Sequence, residues 1–162
     1  MTQRTQEAID VFLDALNEGT LAKGSCGACA VGNLAAFGMN VKITKNKYGD
    51  FSSKKVNGIN TTDWASAFCT SFDGQEINES YFDLPIFKYF KFTPMELAKI
   101  EHAFETNTKI NHSKYIKDTK EEIRADQIKG LEAVVKVMLE LDKNIEETYQ
   151  EVFTSKALAL AI

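Results

Sequence analysis

The chain has 162 residues, 44% hydrophobic and 26% charged, with two prolines, nine glycines and a net charge of −4. That length suits one domain with a full core, and the composition is that of a soluble globular protein, not a low-complexity one. The charge is too mild for a dedicated nucleic-acid-binding protein or a strong DNA mimic, and no run approaches the roughly 18 apolar residues that a membrane span needs.

Residues 5–18 carry Ala8, Val11, Phe12, Ala15 and Leu16 at helical spacing, which predicts an amphipathic core helix ended by Gly19. The next stretch, Gly24 to Phe37, holds two of the three cysteines and a dense run of small side chains. Ser25 is placed to cap a helix here and Gly38 to end it in a left-handed conformation. On such a helix Cys26, Cys29, Asn33 and Phe37 share a stripe. Gly32 and Ala28 beside it would admit a closely approaching backbone. A buried Asn33 would need its amide satisfied, since an unpaired polar group costs about 1–3 kcal/mol.

Three readings compete for Cys26 and Cys29. As buried thiols they are small hydrophobes. At a helix N-terminus they could be redox-active, with a lowered pKa. As a spaced pair they could be half of a metal site. The βαβ surroundings of a thioredoxin-like motif are missing, and the other metal candidates, Cys69, His102 and His112, form no second spaced pair. Packing therefore leads, and neither a metal nor a cofactor is expected. Three cysteines and an N-terminus without an apolar segment lead to the expectation of a reducing cytoplasm.

Residues 40–60 change in character. Val41 and Ile43 alternate with Lys42 and Thr44, Tyr48-Gly49-Asp50 signals a turn, and Phe51 to Val56 could return as a second strand. The segment carries Lys42, Lys45, Lys47, Lys54 and Lys55 against Asp50, a net charge of +4, so the remainder carries −8. With Tyr48 and Phe51 interleaved, these lysines could meet phosphates and stack bases. They could equally face an acidic protein, or simply keep an edge strand soluble.

Thr62 can cap a short helix bearing Trp64, Phe68 and Phe72, a core stripe beside Cys69. Residues 75–92 are rich in rings, among them Tyr81, Phe82, Phe87 and Tyr89. These either wrap the core or form an exposed patch that meets a partner. Thr93, Pro94 and Glu96 then spell a capping box, with Phe92 and Leu97 placed as a hydrophobic staple. Leu97, Ile100 and Phe104 make the buried stripe of the helix that follows, and Glu101, His102 and Glu105 fall towards its other faces. A carboxylate near His102 invites an acid–base role, but the spacing is that of an ordinary surface helix.

After a polar loop over 107–117, Thr119 and Glu122 form a second capping box. The long helix behind it has Ile128, Leu131, Val134, Val135, Met138 and Leu141 as its stripe, with Gly130 marking a close backbone approach. Glu121, Asp126, Glu132, Glu140 and Asp142 are expected on its exposed side. Residues 144–162 read as a further helix that could dock on this chain or on a second copy.

Three blocks together resemble a family of small uncharacterised bacterial and phage proteins: Gly24-Ser-Cys-Gly-Ala-Cys-Ala-Val-Gly-Asn33 with Trp64, Phe92-Thr-Pro-Met-Glu-Leu-Ala-Lys-Ile-Glu-His-Ala-Phe104, and Lys129-Gly-Leu-Glu-Ala-Val-Val135. Members are often labelled automatically as a subunit of the sodium-translocating NADH-quinone reductase. Nothing in these residues supports that label: there is no membrane segment, no glycine-rich dinucleotide loop and too few cysteines for a four-cysteine cluster. The resemblance implies a phage or mobile-element setting and carries over no functional residues.

The expectation is a mostly α, single-domain bundle of five or six helices with one short β-hairpin. No nucleotide-loop, hydrolase or zinc-protease motif is present, so an enzyme is the minority reading. The leading expectation is a small interaction module that acts on a host or phage protein, with inhibition of host or defence machinery as its finer form. Its candidate surface comprises Lys42, Lys45, Lys47, Tyr48, Phe51, Lys54, Lys55, Tyr81, Phe82, Phe87 and Tyr89. A thiol redox or metal protein using Cys26 and Cys29 is the second reading, and a nucleic-acid-binding module using residues 42–55 the third. A homo-oligomer stays open, and no membrane partner is expected.

Overall fold

Five α-helices and one minimal hairpin build the fold in a computed structural model that describes residues 1–68, 77–111 and 117–160, with side chains in the last stretch as far as Ile145. Helix α1, Gln3–Glu18, starts where the Thr2 hydroxyl accepts from the Thr5 amide, and ends at Gly19 with φ 69°. Ala8, Phe12, Ala15 and Leu16 are buried as expected.

Helix α2, Ala30–Gly38, is shorter than the sequence suggests. The chain from Ser25 to Cys29 is a tight turn in which the amides of Ala28 and Cys29 both donate to the Ser25 carbonyl, at 2.9 and 2.8 Å. Cys29, not Ser25, is the N-cap, and its Sγ accepts from the Gly32 amide at 3.3 Å. Gly32 makes the fold-back sterically possible: a Cβ there would lie 2.4 Å from the Cys26 carbonyl oxygen. The close backbone expected at Gly32 is thus the helix's own entry loop. Gly38 is the last helical residue and is not left-handed; Asn40 takes that role with φ 53°. What Gly38 permits is contact, because a Cβ would sit 2.8 Å from the Tyr89 carbonyl oxygen. Asn33 is fully served, its Nδ2 donating to the carbonyls of Thr20, Ala28 and Cys29 and its Oδ1 accepting from the Thr20 hydroxyl.

The hairpin is smaller and later than predicted. Strands β1, Lys55–Val56, and β2, Ile59–Asn60, pair antiparallel around Asn57-Gly58. Both turn residues have positive φ, at 50° and 84°, the backbone of a two-residue hairpin turn. The expected pairing of 41–44 with 51–56 is reduced to a Lys45–Phe51 bridge and one Ser52-to-Thr44 backbone bond. The turn at 48–50 is present, with Asn46 Oδ1 accepting from the amides of Tyr48 and Asp50.

Helix α3, Ala65–Phe68, follows the buried Trp64, whose ring lies 5.7 Å from that of Phe68. Cys69 and Phe72 lie outside the described residues. Residues 77–92 hold two short 3-10 helices, Glu79–Tyr81 and Pro85–Tyr89. Ile86 and Phe92 are buried, and Phe87 meets Phe68, Phe82 and Phe90 ring to ring. Helix α4, Pro94–Asn107, opens on the predicted capping box, and Leu97, Ile100 and Phe104 are fully buried.

Helix α5 runs unbroken from Lys120 to Leu160, so the helix expected from 144 is its continuation. No glycine or proline occurs between Leu131 and Leu160 to interrupt it. The Thr119–Glu122 capping box is formed. Leu131, Val134, Met138 and Leu141 pack into the core, Val135 is half-buried, and Ile128 is exposed. At Gly130 a Cβ would lie 2.4 Å from the Thr108 methyl and 2.9 Å from the Phe104 ring, so the close approach is to side chains at the end of α4.

Two acids expected on the outer side of α5 are buried. Asp142 accepts from the Thr2 amide and the hydroxyls of Thr2 and Thr5, at 2.7–2.9 Å, and so ties the start of α1 to α5. Asp126 accepts from the amides of Lys109 and Ile110, both at 2.9 Å. Glu121, Glu132 and Glu140 are exposed as expected. Among the described residues no helix is long and apolar enough to cross a membrane.

Although burial works in the opposite sense, the bonds from Thr2 and Thr5 hold the Asp142 carboxyl below its ordinary range. Its contribution is therefore complete above the unfolded pKa and is lost as pH falls through the lower folded value. Asp142→Ala should cost about 2–4 kcal/mol near neutral pH, read as a shift in the urea midpoint, with the gap to the parent narrowing in acid.

Candidate functional site

The cysteine loop is seated on α4 by two glutamates. Glu101 and Glu105, one turn apart, are 8% and 6% exposed, not solvent-facing as expected. α4 is clasped between α5 and α2, and these acids lie at the margin of its apolar stripe, where the loop needs acceptors. Glu101 Oε2 accepts from the Val31 amide in the first turn of α2 at 3.3 Å. Glu105 Oε1 accepts from the Gly24 amide at 3.1 Å. Lys23 reaches past them to donate to the carbonyls of Glu105 and Thr108 at the end of α4. That places a cation at a helix C-terminus, where the dipole favours it.

Burial raises both carboxyls, and the charge of Glu105 raises Glu101 further. Glu101 is pushed up to about 8, by desolvation first and by Glu105 second. Glu105 is also raised, less far because the Gly24 amide and the Lys23 ammonium favour its ionised form. Both acids thus favour their protonated form more than free glutamates do.

The same surroundings govern Cys29. Burial, then the charge of Glu101, push its thiol well above its ordinary value, the reverse of what a thiolate nucleophile or metal ligand needs. Cys26 is exposed, and neither cysteine is in a disulfide. His102 is half-buried on α4, while Cys69 and His112 lie outside the described residues. Among the described residues no group of three His, Cys, Asp or Glu side chains is placed to hold a metal ion. Around the cysteine motif, the acids of α4 receive loop amides and so anchor the loop.

Two surface features remain. The first is an apolar groove of about 260 Å³ between α1, α2 and residues 89–92, lined by Val11, Leu34, Phe37, Tyr89 and Phe90. Phe37 is 59% exposed at its rim. A second hollow of about 210 Å³, floored by Val41 and Ile43, shares Val11 and Phe37 with the first. The polar edge is already neutralised: Arg4 makes a two-pronged ion pair with Glu96 at 2.8 and 2.9 Å over the Phe92 ring, and Lys91 pairs with Glu7.

The second feature is a cleft of about 670 Å³ where the end of α1, the 45–51 turn and the start of α5 meet. Of the predicted interaction residues it gathers Lys45, Tyr48 and Phe51, and adds Lys23, Lys120 and Arg124, which the local reading of 42–55 could not reach. Lys42 flanks a neighbouring hollow, Lys47 lies over the Tyr48 ring, and Lys54 and Lys55 are exposed on the hairpin. In the aromatic stretch Tyr89 lines the groove, Tyr81 is exposed, and Phe82 and Phe87 pack edge to face.

These observations define the class: a mostly α-helical single domain with a short hairpin, bearing an apolar groove and a basic cleft among its described residues. No family model, no curated protein and no solved structure gives a significant match to this chain.

The raised carboxyl pair sets a pH dependence. Folding retains a proton that the unfolded glutamates release above about 4.5, so stability should fall as pH rises from there to about 8 and then level off. Glu101→Gln, which mimics the protonated acid, should flatten that slope and melt above the parent at pH 8. Thermal melts of both proteins from pH 5 to 9 check this.

Proposed function

We propose that this protein is an interaction module that takes up an apolar side chain of a protein partner in the groove beside Phe37. The observation that carries the reading is Phe37 itself. A phenylalanine more than half exposed, between two hollows and backed by Val11 and Tyr89, is a large apolar surface left without a partner in the isolated chain. Rings in pockets with a paired polar rim are the usual energetic centres of protein interfaces. A rim whose charges are already paired favours a neutral, apolar anchor over a charged one.

The finer reading, a phage or mobile-element protein that inhibits host or defence machinery, draws on the family resemblance and on the absence of catalytic motifs. The thiol reading has less support, because Cys29 is buried and held as a thiol. A second copy of this chain could also present the anchor, and size-exclusion chromatography would then show a dimer sensitive to the same substitution.

Phe37 is exposed, so Phe37→Lys should leave the melting temperature within a few degrees of the parent. It should also abolish capture of a partner that the parent retains from lysate of the native host, and weaken any self-association. Equal recovery of the same partners by both proteins would remove the groove from the function.

A further inference from the structure

We infer that the cleft between the end of α1, the 45–51 turn and the start of α5 binds a nucleotide, a phosphate group joined to a planar base. The argument begins with charge. Lys23, Lys45, Lys120 and Arg124 line the cleft, against Glu18 as the one carboxylate among its described lining residues. They come from three separate segments, so the concentration of charge is a product of the fold. A chain with a net charge of −4 gathers four cations here.

Two of these cations are spoken for and shape the wall. Arg124 donates to the Leu16 carbonyl at 3.1 Å and to Asn17 Oδ1 at 3.0 Å, closing the C-terminal end of α1, and Lys23 does the same for α4. With those carbonyls engaged, the helix ends oppose an incoming anion less. Lys45 and Lys120 are exposed at the mouth and can reach a phosphate.

Charge alone would suit any anion. The rings make the choice. Tyr48 is 61% exposed, and Lys47 lies 4.8 Å from its ring centroid on one face. Lys45 sits 4.9 Å from the Phe51 ring. The exposed Tyr48 ring thus carries a cation beside a flat surface, the pairing that holds a stacked base next to its phosphate. Asn17 and Gln127 add amide groups to the lining. The volume, about 670 Å³, is that of a small-molecule site. A base stacked on Tyr48 with its phosphate among the lysines would use ring and charge together, whereas an inorganic anion would use the charge alone.

A free nucleotide and a unit of a single strand present the same chemistry, so the test has an arm for each. Binding of N-methylanthraniloyl-ATP and of a fluorescein-labelled ten-residue oligo-uridylate is measured by fluorescence at 50 and 300 mM salt. At least one probe should bind and weaken with salt. Comparable affinity for both identifies the free nucleotide as the source, and a much tighter oligomer identifies the strand. Tyr48→Ala and the pair Lys45→Ala/Lys120→Ala should each weaken binding tenfold or more, while Tyr48→Phe keeps it. Phe37→Lys, in the partner groove and outside the cleft lining, should leave it unchanged, so this inference and the partner groove fail separately. Binding of neither probe would overturn the proposal. Retention of affinity in Tyr48→Ala would do the same, as would equal competition by pyrophosphate or poly-glutamate, which would mean that the cleft reads charge and not a base.

Discussion

Four buried carboxyl groups on α4 and α5 hold the irregular parts of this chain in place. Each accepts from backbone amides that lack a helical partner: Glu101 from Val31, Glu105 from Gly24, Asp126 from Lys109 and Ile110, and Asp142 from Thr2. A buried amide without an acceptor costs about 1–3 kcal/mol, so the entry loop of α2, the exit from α4 and the start of α1 could not lie against the core without these acids. α4 and α5 therefore act as a spine, and their acidic side chains serve as sockets for the rest of the molecule.

The sockets were hard to read. The caps at Gly19, Thr93 and Thr119, the stripes on α1, α4 and α5, the turn at Gly49 and the need to satisfy Asn33 all rest on local chemistry and appear in the structure, whereas the caps expected at Ser25 and Gly38 do not. The acids depend on what packs beside them. Asp126 and Asp142 fall on opposite margins of the α5 stripe, and Glu101 and Glu105 beside that of α4, positions that are solvated on a helix with one packed face and buried on one with two. One further signal was present: Ala98 and Ala103, small and buried, flank the α4 stripe and mark a helix enclosed nearly all round. Asn57-Gly58 was also legible as a hairpin turn, but the alternation at 41–44 drew the strand assignment upstream. The cysteine helix was misjudged at its start because a serine before small residues looks like an N-cap. The actual cap is a thiol positioned by contacts from a distant helix.

The depressions show a similar division. Lys45, Tyr48 and Phe51 are close in sequence and stand out there, whereas Lys120 and Arg124 join them only through the crossing of α5 and α1. Phe37 shares a helical stripe with Cys29 and Asn33, and nothing local distinguishes the exposed ring from its buried companions. α1 links the two regions, with the groove along its first half and the cleft at its last residues. Val11 in the groove and Leu16 in the cleft are five residues apart, about 7.5 Å along the helix, so occupants of the two would be near neighbours.

The capping thiol also gives the chain an internal gauge of its own opening. Cys29 is 1% exposed and Cys26, three residues earlier, is on the surface. A thiol reagent reaches Cys29 only after the loop lifts from α4, while Cys26 is accessible throughout. The ratio of their modification rates therefore reports the free energy of that local opening, independently of global unfolding. Because Glu101 and Glu105 accept from the loop's amides, the same ratio would register the ionisation of these glutamates.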